Sequence, residues 1–273
     1  MVGIYDPWRD ELAIDRANRD LTGFTKNNDR MNESGAFIYA KNASFKQMPF
    51  EAYAIYKRES SYKPTTNSTV QSLDLGTVGF RIMPQFTDGL SGNLEAALQC
   101  GSRGDQDVLA CMVDSDLSYK IPLAESMKPV VDCGLYYLSG DDPSTSKDEG
   151  WNPLWARYPQ YSELYVYAYD ADAAGRWSNI MLPHAGLAVS PVSWLKTTAF
   201  LGYLWAPEAN GPGAGRTRGV LGALKNEFAF GEKLLLPKDK LTGHLWLELL
   251  EPGDYYKVDD LAVFARWEVA YAF

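Results

Sequence analysis

Apolar and polar residues alternate along most of this chain, and the clearest run is LAVFARWEVAYAF at 261–273. Its odd positions are Leu261, Val263, Ala265, Trp267, Val269, Tyr271 and Phe273; its even positions include Arg266 and Glu268. Successive side chains of a strand point to opposite faces, so the run predicts a strand with one apolar face and one face that carries charge. The same period of two recurs upstream. LTGHLWLELL (241–250) sets Leu245, Leu247 and Leu249 against Thr242, His244, Trp246 and Glu248. In 219–235, Phe228 and Phe230 oppose Lys225 and Glu227. In 91–103, Leu94, Ala96, Leu98 and Cys100 oppose Asn93, Glu95, Ala97 and Gln99; in 70–83, Val78, Phe80 and Ile82 oppose Thr77, Gly79 and Arg81. Further strands are expected near 194–205, 179–190, 130–139, 107–121, 49–58 and 34–42, with VGIY (2–5) as a short stub.

The connections fall into two classes. Taking the last strand as running inward, parity makes 251–260, 206–219, 140–178, 104–106, 59–69 and 6–33 outer loops. It makes 236–240, 190–193, 122–128, 84–90 and 43–48 inner turns. Most long, charged connections belong to the outer set and the inner ones are short, the asymmetry of bacterial outer-membrane barrels. Parity also forces YSELYVYAYD (161–170), a strand-like stretch, into the outer excursion, as an extension or small hairpin above the membrane.

The expected fold is therefore all-β: an antiparallel, up-and-down transmembrane β-barrel with 11–12 strands in one domain, 1–273. No stretch approaches the ~18 continuous apolar residues of a membrane helix, which says nothing against a barrel, whose wall needs only every second residue apolar. Aromatic residues make up 13% of the chain, enough to supply girdles at two bilayer interfaces. Trp194, Trp205, Trp267, Tyr271 and Phe273 are the expected membrane anchors. MVGIYDPWRD has neither a basic start nor an apolar core of a signal peptide, and VGIY would begin in mid-membrane. Both features are expected of an N-terminally truncated chain; a closed 12-stranded barrel using residues 1–12 is the alternative.

Net charge is −9, which argues against a nucleic-acid partner. Cys100, Cys111 and Cys133 are too few and too spread for a metal motif or a disulfide framework, and read as small buried or lipid-facing side chains. The two histidines, His184 and His244, accompany no GxSxG elbow and no HExxH motif, and His244 lies about 13 Å along the strand from Glu248, too far for a metal pair. GPGAGRTRG lacks the GK[ST] of a phosphate loop, and the acidic SGDDPSTSKDE (139–149) lacks EF-hand spacing. No catalytic residue, metal or cofactor is expected.

By parity, Arg81, Glu95, Gln99, Glu163, Lys196, Lys225, Glu227, His244, Glu248, Arg266 and Glu268 face inward. Against a dry core Glu95 would be a costly buried charge, whereas water in a pore solvates it. Arg266 and Glu268 share a face, and a structural pairing is as compatible with them as a transport role.

LEAALQCG (94–101), GLYYLSGDD (134–142), GWNPLWARYPQYSEL (150–164), GHLWLELLEPGDYY (243–256) and the terminal FARWEVAYAF together resemble the alginate-export family of outer-membrane channels. The resemblance covers most of 91–273; before residue 91 only the strand rhythm is similar. It implies a larger barrel of about 18 strands, of which this chain would be the C-terminal portion. It further implies passive passage of an anionic, alginate-like oligo- or polysaccharide across the outer membrane of a Gram-negative bacterium. Outer-membrane lipid and the barrel-assembly machinery, which would read the C-terminal strand, are the other implied partners. The inward set mixes both signs where rings of Arg or Lys favour anions. A soluble carbohydrate-binding β-sandwich and an outer-membrane barrel with hydrolase activity are the competing readings.

Overall fold

The computed structural model describes residues 2–5 as backbone, and 33–61, 71–123, 126–156, 160–164, 178–213, 215–230 and 239–273 in full. Parts of the expected connections 6–33, 59–69, 140–178 and 236–240, and the tail of the expected strand 219–235, lie outside these residues. Twelve strands follow in chain order: β1 (Val2–Tyr5), β2 (Glu33–Asn42), β3 (Phe50–Glu59), β4 (Leu73–Ile82), β5 (Leu90–Arg103), β6 (Gln106–Lys120), β7 (Val130–Leu138), β8 (Ile180–Val192), β9 (Leu195–Trp205), β10 (Thr217–Phe230), β11 (Lys240–Pro252) and β12 (Ala262–Ala272).

Each strand pairs antiparallel with the next, giving one sheet in the order β1 to β12. This is an up-and-down meander, not the two packed sheets of a sandwich. Among the described residues no pairing joins β12 to β1, so the sheet is open rather than a closed 12-stranded barrel. Local chemistry accounts for the connections. Gly104, at φ +58°, takes the first central position of the two-residue turn between Arg103 and Gln106, the place where a type II′ hairpin needs glycine. Gly219, at φ +128°, follows a bulge where the β9–β10 register shifts between Thr217 and Gly219; a Cβ at Gly219 would overlap the Glu251 carbonyl.

The two faces of the sheet differ. One face is bare and apolar: Ile38, Val78, Leu98, Leu109, Leu117, Leu187, Leu201, Val220, Leu224, Leu245, Leu247, Leu249, Val263 and Val269 all stand exposed on it. The other face is covered. It carries one contiguous buried cluster that includes Ala97, Ala110, Leu138, Ile180, Leu182, Leu204, Leu221 and Leu250, from β5 round to β11. The alternation is visible within two residues of β11, where Leu249 is 39% exposed and Leu250 is fully buried.

Candidate functional site

What covers the second face is the chain's own segment between β7 and β8. Residues 150–156 and 160–164 lie across that face as a strap and are fastened at several stations. Trp151 and Leu164 join the buried cluster. Near the start of the crossing, the Gln99 amide on β5 donates to the Asn152 carbonyl at 2.7 Å and accepts from the Asn152 N–H at 2.9 Å. Lys57 on β3 donates to the Leu154 carbonyl at 2.7 Å, and also pairs with Glu59. The Trp155 ring occupies the space over Gly35 on β2, where any Cβ would overlap it.

The far end of the strap is held by β6, β11 and β12. Gln160 and Tyr161 both donate to the Asp114 carboxylate, at 3.0 and 2.9 Å. Burial first, and then the Asp114 charge, push the Tyr161 phenol above its usual range, so it stays protonated as a donor. Its ring packs among Tyr136, His184 and Phe200. Glu248 accepts three hydrogen bonds, from the Ser162 hydroxyl at 2.7 Å and from the Glu163 and Leu164 N–H groups at 3.0 Å each. Arg266 on β12 donates to Glu163 at 2.7 Å.

These stations require the sheet to curl. Trp155 and Glu163 are eight residues apart, and eight residues reach at most about 29 Å. Their partners lie on β2 and β12, ten strand positions apart, about 47 Å along a flat sheet. Strand side chains stand nearly perpendicular to their sheet and cannot close such a gap sideways. The strap is therefore a chord, and the covered face is the concave interior.

The expected extension above the membrane at 161–170 is corrected here: residues 160–164 run along the interior, against β6, β9 and β11. Residues 165–170 lie outside the described set. The interior itself has two halves. Towards the long connections it is dry and aliphatic, with Leu73, Leu75, Leu138, Ile180, Leu182, Leu204, Leu221 and Leu250 fully buried. Towards the short turns it is polar.

The polar half is laid out in cross-strand rows. Glu51, Arg81, Glu95 and Asp114 follow one another across β3 to β6. Arg81 donates to Asn93 at 2.6 Å, and Glu95 accepts from the Tyr53 hydroxyl at 2.7 Å. His184 is buried with both ring nitrogens occupied, by the Leu182 carbonyl at 3.2 Å and Asp116 at 2.9 Å, which leaves no ring nitrogen for a nucleophile. On β9 to β12 one row reads Lys196, Glu227, His244, Glu268, and the next reads Thr198, Lys225, Trp246, Arg266. Lys225 pairs with Glu227 at 2.9 Å, Arg266 takes His244 as acceptor at 3.1 Å, and both cations lie about 5 Å from the Trp246 ring centre (5.1 and 4.9 Å).

Of the eleven residues expected to face inward, the ten on strands all stand on the concave face and Glu163 lies on the strap, but not in equal situations. Gln99 and Glu248 are fully buried under the strap, so neither is open to the interior space. Lys196 and Glu268 are exposed, and Arg81, Glu95, Lys225, Glu227, His244 and Arg266 are half-buried or better. Of the expected anchors, Trp194 stacks on Phe230 at the turn end of the bare face, and Trp205 stacks on Tyr203 at the loop end. Tyr271 and Phe273 stack on each other beside the turns. Trp267 stands apart from these: it lies at the middle of β12, opposite Leu245, and not at a rim.

Several interior residues escaped the sequence reading, namely Glu51, Lys57, Asp114, Asp116 and Asp132. The signal was present, since QDVLACMVDSDLSYK puts Asp114 and Asp116 in the same parity as the buried Ala110. The three cysteines are free; Cys100 and Cys133 are exposed and Cys111 is half-buried. Among the described residues no three His, Cys, Asp or Glu side chains come together to hold a metal. The acidic stretch 139–149 is engaged within its own loop, with Asp141 accepting from the Glu149 N–H, and with the end of β5, where Asp148 pairs with Arg103. Compared with known proteins, no protein-family model matches the chain and no curated protein matches its sequence.

Proposed function

We propose that the protein is an outer-membrane β-barrel channel through which a charged oligo- or polysaccharide passes by diffusion. One observation carries the reading: an antiparallel sheet that leaves a whole face of Leu, Val and Ile exposed. In water such an area would drive aggregation. In a bilayer it is the lipid-facing wall, and no charge interrupts the middle of its rows. β2 to β12 run from 9 to 15 residues, long enough for the 9–11 tilted residues of a transmembrane strand. Aromatic side chains at both ends of the bare face, Tyr203 and Trp205 on one side and Trp194, Phe230 and Tyr271 on the other, suit the two interfaces.

The polar half of the concave face supplies an aqueous path with side chains of both signs. No bond needs to be made or broken along it: width and charge select the solute. An anionic, alginate-like saccharide is the solute that the family resemblance suggests, with Lys196, Lys225 and Arg266 as the cations it would meet. Glu95, Glu227 and Glu268 oppose it. Reconstitution in planar bilayers tests the proposal. The expected result is ion current with anion preference, blocked by oligouronates; strong cation preference with no block would remove the anionic solute and leave only the channel.

A further inference from the structure

We infer that Glu248 is the positioning residue that sets the width of the passage, by holding the strap across the interior. The inference rests on the channel reading and names a residue that acts without touching the solute. Glu248 is fully buried, and its two oxygens accept from three donors that all belong to the strap: Ser162, Glu163 and Leu164. A carboxylate that accepts two backbone N–H bonds and a hydroxyl bond away from water is held far more firmly than a surface ion pair. Its next neighbour in the strap, Glu163, carries the Arg266 contact, where the side chains are 24% and 39% exposed. Fixing 162–164 therefore fixes the place where the strap faces the open, polar half of the interior.

The other fastenings are of a different kind. Gln99 and Lys57 meet backbone carbonyl or amide groups near the strap's start, and Asp114 is met by two side chains. Among the described residues, only at Glu248 do consecutive backbone N–H groups converge on one wall residue. An amide cannot replace it, because Gln has a single acceptor oxygen and would turn N–H donors towards N–H donors. Loss of the carboxylate frees residues 162–164, while the strap stays tied to Gln99 at its start and to Asp114 through Gln160 and Tyr161. Beyond Tyr161 the strap then depends on the partly exposed Glu163–Arg266 pair, and the passage beside it widens.

Single-channel conductance of Glu248→Gln and Glu248→Ala measures this. The expected change is a conductance about twofold or more above the parent, with heat-modifiable migration on gels unchanged as evidence that the barrel still forms. A tether separates widening from loose folding. In a chain whose three native cysteines are alanine, Glu163→Cys and Arg266→Cys are bridged by a flexible bis-maleimide in the Glu248→Ala background. Bridging is expected to return the conductance to that of the same bridged cysteine pair with Glu248 intact. Equal conductance in parent and variants overturns the inference alone, as does a raised conductance that the bridge leaves unchanged. Absence of current in parent and variants alike overturns the channel reading itself.

Discussion

Gln99 and Asn152 exchange two hydrogen bonds, side-chain amide against backbone amide, although 53 residues separate them. The pair imitates one rung of a β-ladder, with a wall side chain standing in for the missing strand. Replacing Gln99 by alanine would leave the half-buried Asn152 N–H and C=O without the Gln99 partner. That costs about 1–3 kcal/mol per group. Gln99→Glu is expected to be nearly as harmful, because a carboxylate has no donor for the Asn152 carbonyl. Denaturant unfolding in detergent, followed by tryptophan fluorescence, measures both; an unchanged midpoint would contradict the rung.

Leu247 and Leu221 are chemically the same residue on opposite faces. Leu247 is exposed on the bare face, and Leu221 is fully buried on the concave one. Leu221→Ala is expected to destabilise by about 2–5 kcal/mol through the cavity it leaves. Leu247→Ala should cost much less, since no protein atoms pack over it. Leu247→Arg reverses the comparison in a bilayer, where a charge near the midplane costs about 2–4 kcal/mol. Folding assays in lipid vesicles compare the three directly. An arginine tolerated at 247 without cost would speak against lipid contact there.

Arg218 ties the loop end of the sheet together. It donates to the Ser178 and Asn179 carbonyls at 2.9 and 3.0 Å and lies over the Tyr255 ring, while Asn179 bonds to Glu208 and Asn210. Three separate connections meet in this knot. Arg218→Ala would take the guanidinium from the half-buried Ser178 and buried Asn179 carbonyls, and Arg218→Lys would keep the charge but lose the planar fork. Both variants are expected to show faster protease cleavage within 207–216 and 253–260, with the strands still protected. Cleavage at the parent rate would show that the knot does not hold the loops.

The strand plan and the choice of face were legible because a period of two is written into each segment: Leu245, Leu247 and Leu249 mark one side of β11 wherever it sits. What the period cannot say is what lies against the other side. Glu248 has the parity of a lumen residue and reads as a charge facing water, yet the strap buries it completely. Leu73, Leu75, Leu182 and Leu250 occupy inward positions that the pattern marked as polar territory. Leu182 and Leu250 are buried in one cluster with Trp151 and Leu164 of the strap, and Leu73 and Leu75 in a second cluster against which Leu154 packs. The strap's own path was hidden for the same reason. YSEL alternates like a strand, but its partners are side chains from β6, β11 and β12, contacts set by curvature that no local spacing records.

The central claim is that the bare face meets lipid and the concave face meets water, and β12 offers the cleanest place to measure it. Nitroxide labels placed singly at 263, 265, 267 and 269, and at 264, 266, 268 and 270, report collision with oxygen and with a water-soluble nickel chelate in vesicles. The account predicts a period of two: oxygen collisions dominate at 263, 265, 267 and 269, and nickel collisions rise at 266 and 268. Equal exposure to the nickel chelate at both sets, or lipid contact at 266 and 268 in place of 263 and 267, would contradict it.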